Sequence, residues 1–258
     1  VNGPRVEIIA LPGIPLVKPG DDLARLIVDG LSTAGLALQS GDILVVTSKI
    51  VSKAEGRFLD LRAVTPSPRA LEIAALTGKE PEMVEVVLTE SQAVSRMRKG
   101  VLVTRHRLGF VSANAGVDHS NVGPDGERWV LLLPIAPDES AARLREALCA
   151  LTGVAPGIVI SDTHGRPFRL GNVGVAVGAA GLPALLDLRG REDLFRRRLQ
   201  YTDIALADEL AAAADLVSGQ AAEGLPVTLI RGYAPPPGAP TDGRAADLIR
   251  PPDLDLYR

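Results

Sequence analysis

Gly157-Ile158-Val159-Ile160-Ser161-Asp162-Thr163-His164-Gly165-Arg166 is the stretch on which the reading of this chain turns. Gly157 to Ile160 form a run of apolar or small residues that reads as a buried strand, and the chain turns polar within one step. An aspartate at the exit of such a strand sits on a rigid element facing a crevice, where its carboxylate can hold a divalent metal. Thr163 adds a hydroxyl oxygen, Gly165 frees the backbone, and Arg166 and Arg169 bring the fixed positive charge that phosphate and carboxylate ligands require. Asp, Thr and Gly are also ordinary turn residues, so a capping Asp in a strand-to-loop turn explains this stretch alone equally well. A functional reading needs a second acidic turn.

That turn is Asn114-Ala115-Gly116-Val117-Asp118-His119-Ser120-Asn121-Val122. Its small residues let the backbone approach a ligand closely, and Asp118 and Asn121 supply oxygen ligands or hydrogen-bond partners. His119 invites a zinc reading, but the chain has three histidines and no His-x-x-x-His spacing, so that signal is weak. Asp118 near Asp162 would suit a hard cation, which takes oxygen donors from separate segments and leaves room for phosphate and water.

Working outward, Val6–Leu11 reads as a strand followed by the Pro-punctuated segment Pro12-Gly13-Ile14-Pro15-Leu16-Val17. That segment either lines a flat ligand's pocket or tucks onto the core. Asp21 and Asp22 cap a helix carrying Leu23, Leu26, Ile27 and Leu31 at helical spacing. Asp42–Thr47 is a buried strand, and Ser48, Lys49, Ser52 and Lys53 beyond it suit phosphate oxygens or a solvated turn. Ser67-Pro68 starts a helix stopped at Gly78, and another runs from Pro81 to about Val94. Arg96, Arg98 and Lys99 read as a solvated basic face. Val101–Thr104 and Gly109–Ala113 are strands joined by the basic turn Arg105-His106-Arg107. Val130–Leu133 is a strand, and Asp138–Leu151 a helix ended by Gly153.

Gly171, Gly174, Gly178 and Gly181 match neither G-x-G-x-x-G nor the P-loop pattern, so close packing is their better reading. The basic segment Arg189–Arg198 precedes a helix over Thr202–Val217, with Asp208 and Glu209 assigned to its solvated face. Ser218–Pro226 is a polar loop before the strand Val227–Ile230, and prolines dominate from Ala234 onward as an arm or tail. Strands and helices mix without regular βαβ alternation, so the fold class is α+β, with mixed sheets and packed helices.

The 258 residues are 46% apolar and 23% charged, ordinary for a globular protein, and can bury a substantial core. A net charge of -3 and 3% aromatic residues give no footing for nucleic acid or a membrane surface. The single cysteine, Cys149, excludes an internal disulfide. No signal peptide and no apolar run of membrane-spanning length stands in the sequence, so a cytoplasmic location is expected.

Taken together, the motifs resemble the coenzyme F420-0 γ-glutamyl ligase family. The resemblance rests on Leu16–Asp22, Thr47–Arg57, Ala115–Val122, Ser161–Arg166, Ala207-Asp208-Glu209 and Arg231-Gly232, in this order and at these spacings. It implies a GTP-dependent amide ligase that joins L-glutamate to F420-0 and then adds further γ-linked glutamates through an acyl-phosphate intermediate. Magnesium or manganese, two per site, would be required, and potassium would stimulate. The fold would be an α+β arrangement of the family's own, in an intertwined homodimer. A single ligase domain is expected over residues 1–258, with a Pro-rich arm over 234–258. The nitroreductase-like domain that actinobacterial members often carry is not expected.

Carried over by resemblance, Ile14, Pro15, Leu16 and Val17 form a guanine-nucleotide segment, and Ser48, Lys53 and Asn121 contact the nucleotide. Asp118 and Asp162 bind the first metal, and Thr163 and Gln220 the second. The loop Ser218, Gly219, Gln220, Ala221, Ala222, Glu223, Gly224 and Leu225 closes on the nucleotide. No side chain is expected to act as a nucleophile. Two competing readings stand beside this one. A metal-dependent phosphohydrolase would use Asp118, His119, Asp162 and His164 around a metal pair, and a silent GTP- or deazaflavin-binding protein would bind without turnover.

Overall fold

The computed structural model describes residues 3–123 and 128–255. The chain opens with β1 (Glu7–Ala10), α1 (Leu23–Thr33), β2 (Ile43–Thr47), α2 (Ser48–Ala54) and β3 (Phe58–Asp60). Then follow α3 (Pro68–Thr77), α4 (Pro81–Thr89), β4 (Ser91–Arg98), β5 (Val101–His106), β6 (Val111–Ala113) and β7 (Trp129–Leu131). The second half holds α5 (Pro137–Thr152), β8 (Gly157–Arg166), β9 (Arg169–Ala180), β10 (Leu186–Asp187), β11 (Asp203–Ile204), α6 (Leu206–Ser218) and β12 (Val227–Arg231). This is the expected α+β class, and no helix among the described residues is long and apolar enough to cross a membrane.

The central sheet has the order β1-β12-β2-β8-β9, with β2 and β8 parallel and the other neighbours antiparallel. Side chains alternate across a strand, so a strand covered on both faces must be apolar at every position. The run Ile43-Leu44-Val45-Val46 meets that demand. Leu44 and Val46 join Ile158 and Ile160 in a core closed by α1 and α5, whereas Ile43, Val45 and Val159 face α6 through Leu206, Leu210 and Ala211. A third cluster packs α3 and α4 against Leu102, Val117, Val130 and Leu132. Asp118 belongs to the polypeptide of this third cluster and Asp162 to the central sheet, so an Asp118–Asp162 site forms where the two meet.

The outer edge of β9 is covered by carboxylates. Asp138 in the first turn of α5 accepts from Ala179 N–H, and Asp208 in the first turn of α6 accepts from Ala176 N–H, both at 2.8 Å. Close packing, expected of all four glycines, is found at three: a Cβ on Gly174 would lie 2.6 Å from Ala211 O, one on Gly178 2.5 Å from Pro137 O, and one on Gly181 would run into the Arg145 side chain, whereas Gly171 stands in open space. The helices therefore sit nearer the strand than any side chain would allow.

Two sequence expectations are corrected. The helix from Pro81 ends at Thr89, and Ser91–Arg98 is a strand paired with β5. Val94 fitted the helical spacing, but pairing with Val101–His106 overrides it, and Glu90 at the helix end is captured by Arg57 and Arg107. Asp208 does not lie on a solvated face; it is half-buried against β9, and burial raises its pKa. Of the two readings of the residues after Thr47, the solvated turn is excluded, because Ser48–Ala54 is a helix. The Pro-rich arm packs on its own chain. Asp242 accepts from Gly181 N–H, Ala245 is buried with its N–H on Asp138, and Gly109 approaches Ile249. Residues 256–258 of that arm lie outside the described residues.

Candidate functional site

β1, β2 and β8 run in one direction, and their carboxyl ends lie side by side. Val46 is level with Ile160 on one side and Val227 on the other, and Leu11 N–H donates to Val227 O at 2.8 Å. Residues 14–17 leave β1, α2 leaves β2, Asp162 and Thr163 continue β8, and the loop 218–226 enters β12, all from this end. Crevices outside the carboxyl ends of parallel strands are where open sheets place ligands.

Asp162 lies inside β8, not at its exit, because β8 continues past β2 and pairs with β9 as far as Arg166. Its Oδ2 lies 3.1 Å from His164 Nε2. The His164 ring is buried against Phe110, which stacks on His106 at 4.8 Å. His164 thus orients Asp162 from within a packed wall. His119 is exposed.

Asp118 follows a tight turn in which Asn114, Ala115 and Gly116 all have positive φ, at 51°, 51° and 63°. A Cβ on Gly116 would sit 2.7 Å from Leu133 Cδ1 and 3.3 Å from Asp162 Oδ2, so the glycine lets this turn close on Asp162. Backbone bonds between Asp118 and Leu131, 2.9 Å each way, fix the residue beyond the turn. Asp118 Oδ1 accepts from Ser120 N–H and Oγ at 3.0 Å. Its Oδ2 pairs with Lys49 Nζ at 2.7 Å. Asp118 and Asp162 line one small cavity with Ser48, Lys49, Ser52 and Gly116.

Lys49 and Lys53 lie one turn apart on α2. Lys53 Nζ donates to Asn121 O at 2.6 Å; its pKa is lowered by burial and by the Lys49 charge, with Asp118 opposing. Asn121 Nδ2 donates to Ala221 O at 3.0 Å, and Thr163 Oγ1 donates to Gln220 Oε1 at 2.9 Å. The loop 218–225 is thereby tied to both acidic segments. Of the predicted residues, Ser48, Lys53, Asp118, Asn121, Asp162, Thr163 and the loop converge. Ile14 and Val17 pack on α1 and the core, Leu16 is exposed, and the segment shares only the sheet end with the rest.

Asp215 was missed. It stands two turns after Asp208 on α6, accepts from Gly174 N–H and is bonded by Gln220; burial and then the charge of Asp162 raise its pKa. The seven-residue spacing from Asp208 was the available signal, since both face β9.

A divalent metal fits this donor set, though not as a cage of protein ligands. Among the described residues no group of three or more His, Cys, Asp and Glu is placed to hold a metal. Asp118 and Asp162 offer hard carboxylate oxygens, Thr163 and Gln220 neutral ones, and the Lys49 ammonium is itself a cation at Asp118 Oδ2. Magnesium is commonly held by one or two carboxylates plus substrate phosphates, as this set allows.

The family described as F420-0:Gamma-glutamyl ligase matches residues 13–232. The chain is 49% identical over 253 residues to the coenzyme F420:L-glutamate ligase of Methanothermobacter thermautotrophicus, covering 98% of this chain and 99% of that protein. It is 45% identical to the protein of that name from Methanopyrus kandleri, covering 99% and 98%. Identity to the one from Methanocaldococcus jannaschii is 42%, covering 98% and 97%.

Proposed function

The chain belongs to the F420-0:γ-glutamyl ligase family, and from that premise we propose that it joins L-glutamate to coenzyme F420-0 at the expense of GTP. In the first step a carboxylate oxygen of F420-0 bonds to the γ-phosphorus of GTP, the bond to the bridging oxygen breaks, and GDP departs. In the second the glutamate amine bonds to the acyl carbon, phosphate leaves and the amine loses a proton. The same steps repeated on the new γ-carboxylate add further glutamates. Such a transfer is mostly positioning and charge neutralisation, so no nucleophilic side chain is needed.

Lys53, Ser48 and Asn121 hold the nucleotide phosphates, the backbone of residues 14–17 faces the guanine, and the loop 218–225 covers it and excludes water. Asp118 and Asp162 would hold a first magnesium or manganese ion, and Thr163 and Gln220 a second, with potassium as a stimulating ion. When bound, these cations neutralise phosphate charge. His164 fixes Asp162 in place. What carries the reading is the joining of lysines and hard oxygen donors from four segments at one sheet end. We also propose a cytoplasmic homodimer; Phe168, Leu170, Leu194 and Phe195, each more than four-fifths exposed, support an interface on the β8–β9 tip and the 189–201 segment.

The test is mass spectrometry of F420-0 incubated with L-glutamate, GTP and manganese, omitting each in turn. Glutamate-sized additions that require every component are expected. GTP hydrolysis without addition would favour a phosphohydrolase instead, and binding without turnover a silent nucleotide-binding protein.

A further inference from the structure

Asp162 and Thr163 are consecutive on β8, so their side chains leave opposite faces of the sheet. Thr163 pairs with Gly174 on β9, and a Cβ on Gly174 would meet Ala211 O and lie 2.9 Å from Asp215 Oδ2. Thr163 therefore points to the α6 face, where its Oγ1 donates to Gln220 Oε1 at 2.9 Å. Asp215, half-buried near the end of α6, comes close to β9 because Gly174 has no side chain, and the Gln220 side chain meets its carboxylate there. Thr163 and Gln220 are neutral; Asp215 brings negative charge to them.

A primary amide has an oxygen edge and an NH₂ edge, whereas an ionised carboxylate only accepts. Facing Asp215, Gln220 must turn its NH₂ edge toward α6, which leaves Oε1 on the side of Thr163. The Thr163 hydroxyl cannot make that choice, since it both donates and accepts and would satisfy either edge. Packing cannot make it either, because Gln220 is exposed. Asp208 gives the contrast. It faces β9 from the same helix seven residues earlier, but its contact is the Ala176 amide at 2.8 Å, a bond that ties helix to strand.

We propose that Asp215 is a positioning residue of this enzyme: it sets the Gln220 amide with its oxygen toward Thr163 and so preorganises the two neutral donors of the second cation site. The proposal rests on the metal reading given above. A carboxylate that only ties α6 to β9 has a different signature, because its loss lowers the melting temperature and leaves cation binding alone.

The experiment titrates manganese in saturating GDP into wild type, Asp215→Asn, Asp208→Asn, Gln220→Ala and the double variant Asp215→Asn/Gln220→Ala. Electron paramagnetic resonance follows the free ion, and melting temperatures are taken on the same preparations. Wild type is expected to bind two ions per chain. Asp215→Asn keeps the shape and removes the charge. It is expected to hold the first ion as wild type does and the second about tenfold more weakly, the scale of one hydrogen bond to a charged group. Asp208→Asn is expected to melt earlier and to bind both ions normally. In the Gln220→Ala background, Asp215→Asn is expected to have no further effect on the second ion, because a residue that acts through the amide has nothing left to orient. Unchanged second-ion affinity in Asp215→Asn overturns the proposal. So does a tenfold loss that persists without Gln220, or an equal loss in Asp208→Asn. A wild type that binds only one ion removes the second site itself, a failure of the metal reading seen before any variant is compared.

Discussion

Glu90 and Asp118 are both carboxylates facing cations, and they are built for different ends. Glu90 is 9% exposed and meets Arg57 at 3.2 Å, Arg107 at 3.0 Å and His106 at 3.6 Å. Burial alone would raise its pKa, but the nearby His106 Nε2, the hydrogen bond from Arg107 and the charges of Arg107 and Arg57 hold it at about 2. His106 Nδ1 accepts from Leu108 N–H, which leaves Nε2 to carry the proton toward Glu90. Both of its oxygens are held by arginines fixed in the fold, and the residue closes a helix. Asp118 is about one-third exposed and holds a single ammonium on a flexible stem. A saturated carboxylate braces the fold; one held by an exchangeable cation can take a ligand.

The comparison breaks most visibly if the two kinds of carboxylate respond alike to neutralisation. Asp118→Asn and Asp162→Asn are expected to lower metal-dependent GDP release on the order of a thousandfold with little change in melting temperature. Glu90→Gln should do the reverse, costing about 3 kcal/mol of stability by leaving Arg57 and Arg107 facing a neutral group, as read from urea unfolding. The pH dependence sharpens the contrast. Because folding depresses the Glu90 pKa from 4.5 to about 2, its contribution is complete above 4.5 and is lost as pH falls toward 2. Acid unfolding of Glu90→Gln is therefore expected to be flatter than that of wild type across this window.

A smaller effect is expected at Gly116. Substitution by Ala places a Cβ at positive φ against Leu133 and Asp162, which costs about 2 kcal/mol and also lowers activity. Thermal unfolding and steady-state rates on one preparation would show both. Thr163→Val should have the least effect. Loss of its bond to Gln220 is expected to raise the KM for GTP about fivefold while stability stays unchanged.

Much of the fold was legible. The starts of α1 and α3 follow from Asp22 and Ser67, whose side chains accept the expected amide bonds, and Gly78 and Gly153 end α3 and α5 in the left-handed conformation. The overrun past Thr89 arose because Val94 continues a helical spacing, and only the partner strand β5 decides against it. Asp208 was misjudged for a similar reason, since its partner, the Ala176 amide, lies 32 residues away. In the site, the acidic turns and the lysines could be seen as separate motifs. Lys49 on Asp118 and Asn121 on Ala221 could not, because those bonds join residues 69 and 100 positions apart.

By itself, then, the sequence determined which segments are apolar enough to form the sheet, where capping residues start and stop helices, and which residue types are available for phosphate and metal chemistry. These are local properties, set by side-chain period and by backbone groups a few residues apart. The tertiary structure decided that β2 and β8 run parallel with β12 between β1 and β2, which brings three carboxyl ends and one loop to the same sheet edge. It also decided that Gly116 closes on Asp162. Both depend on contacts between distant segments, whose free energy comes from burial and close packing of surfaces that exist only once the chain has folded.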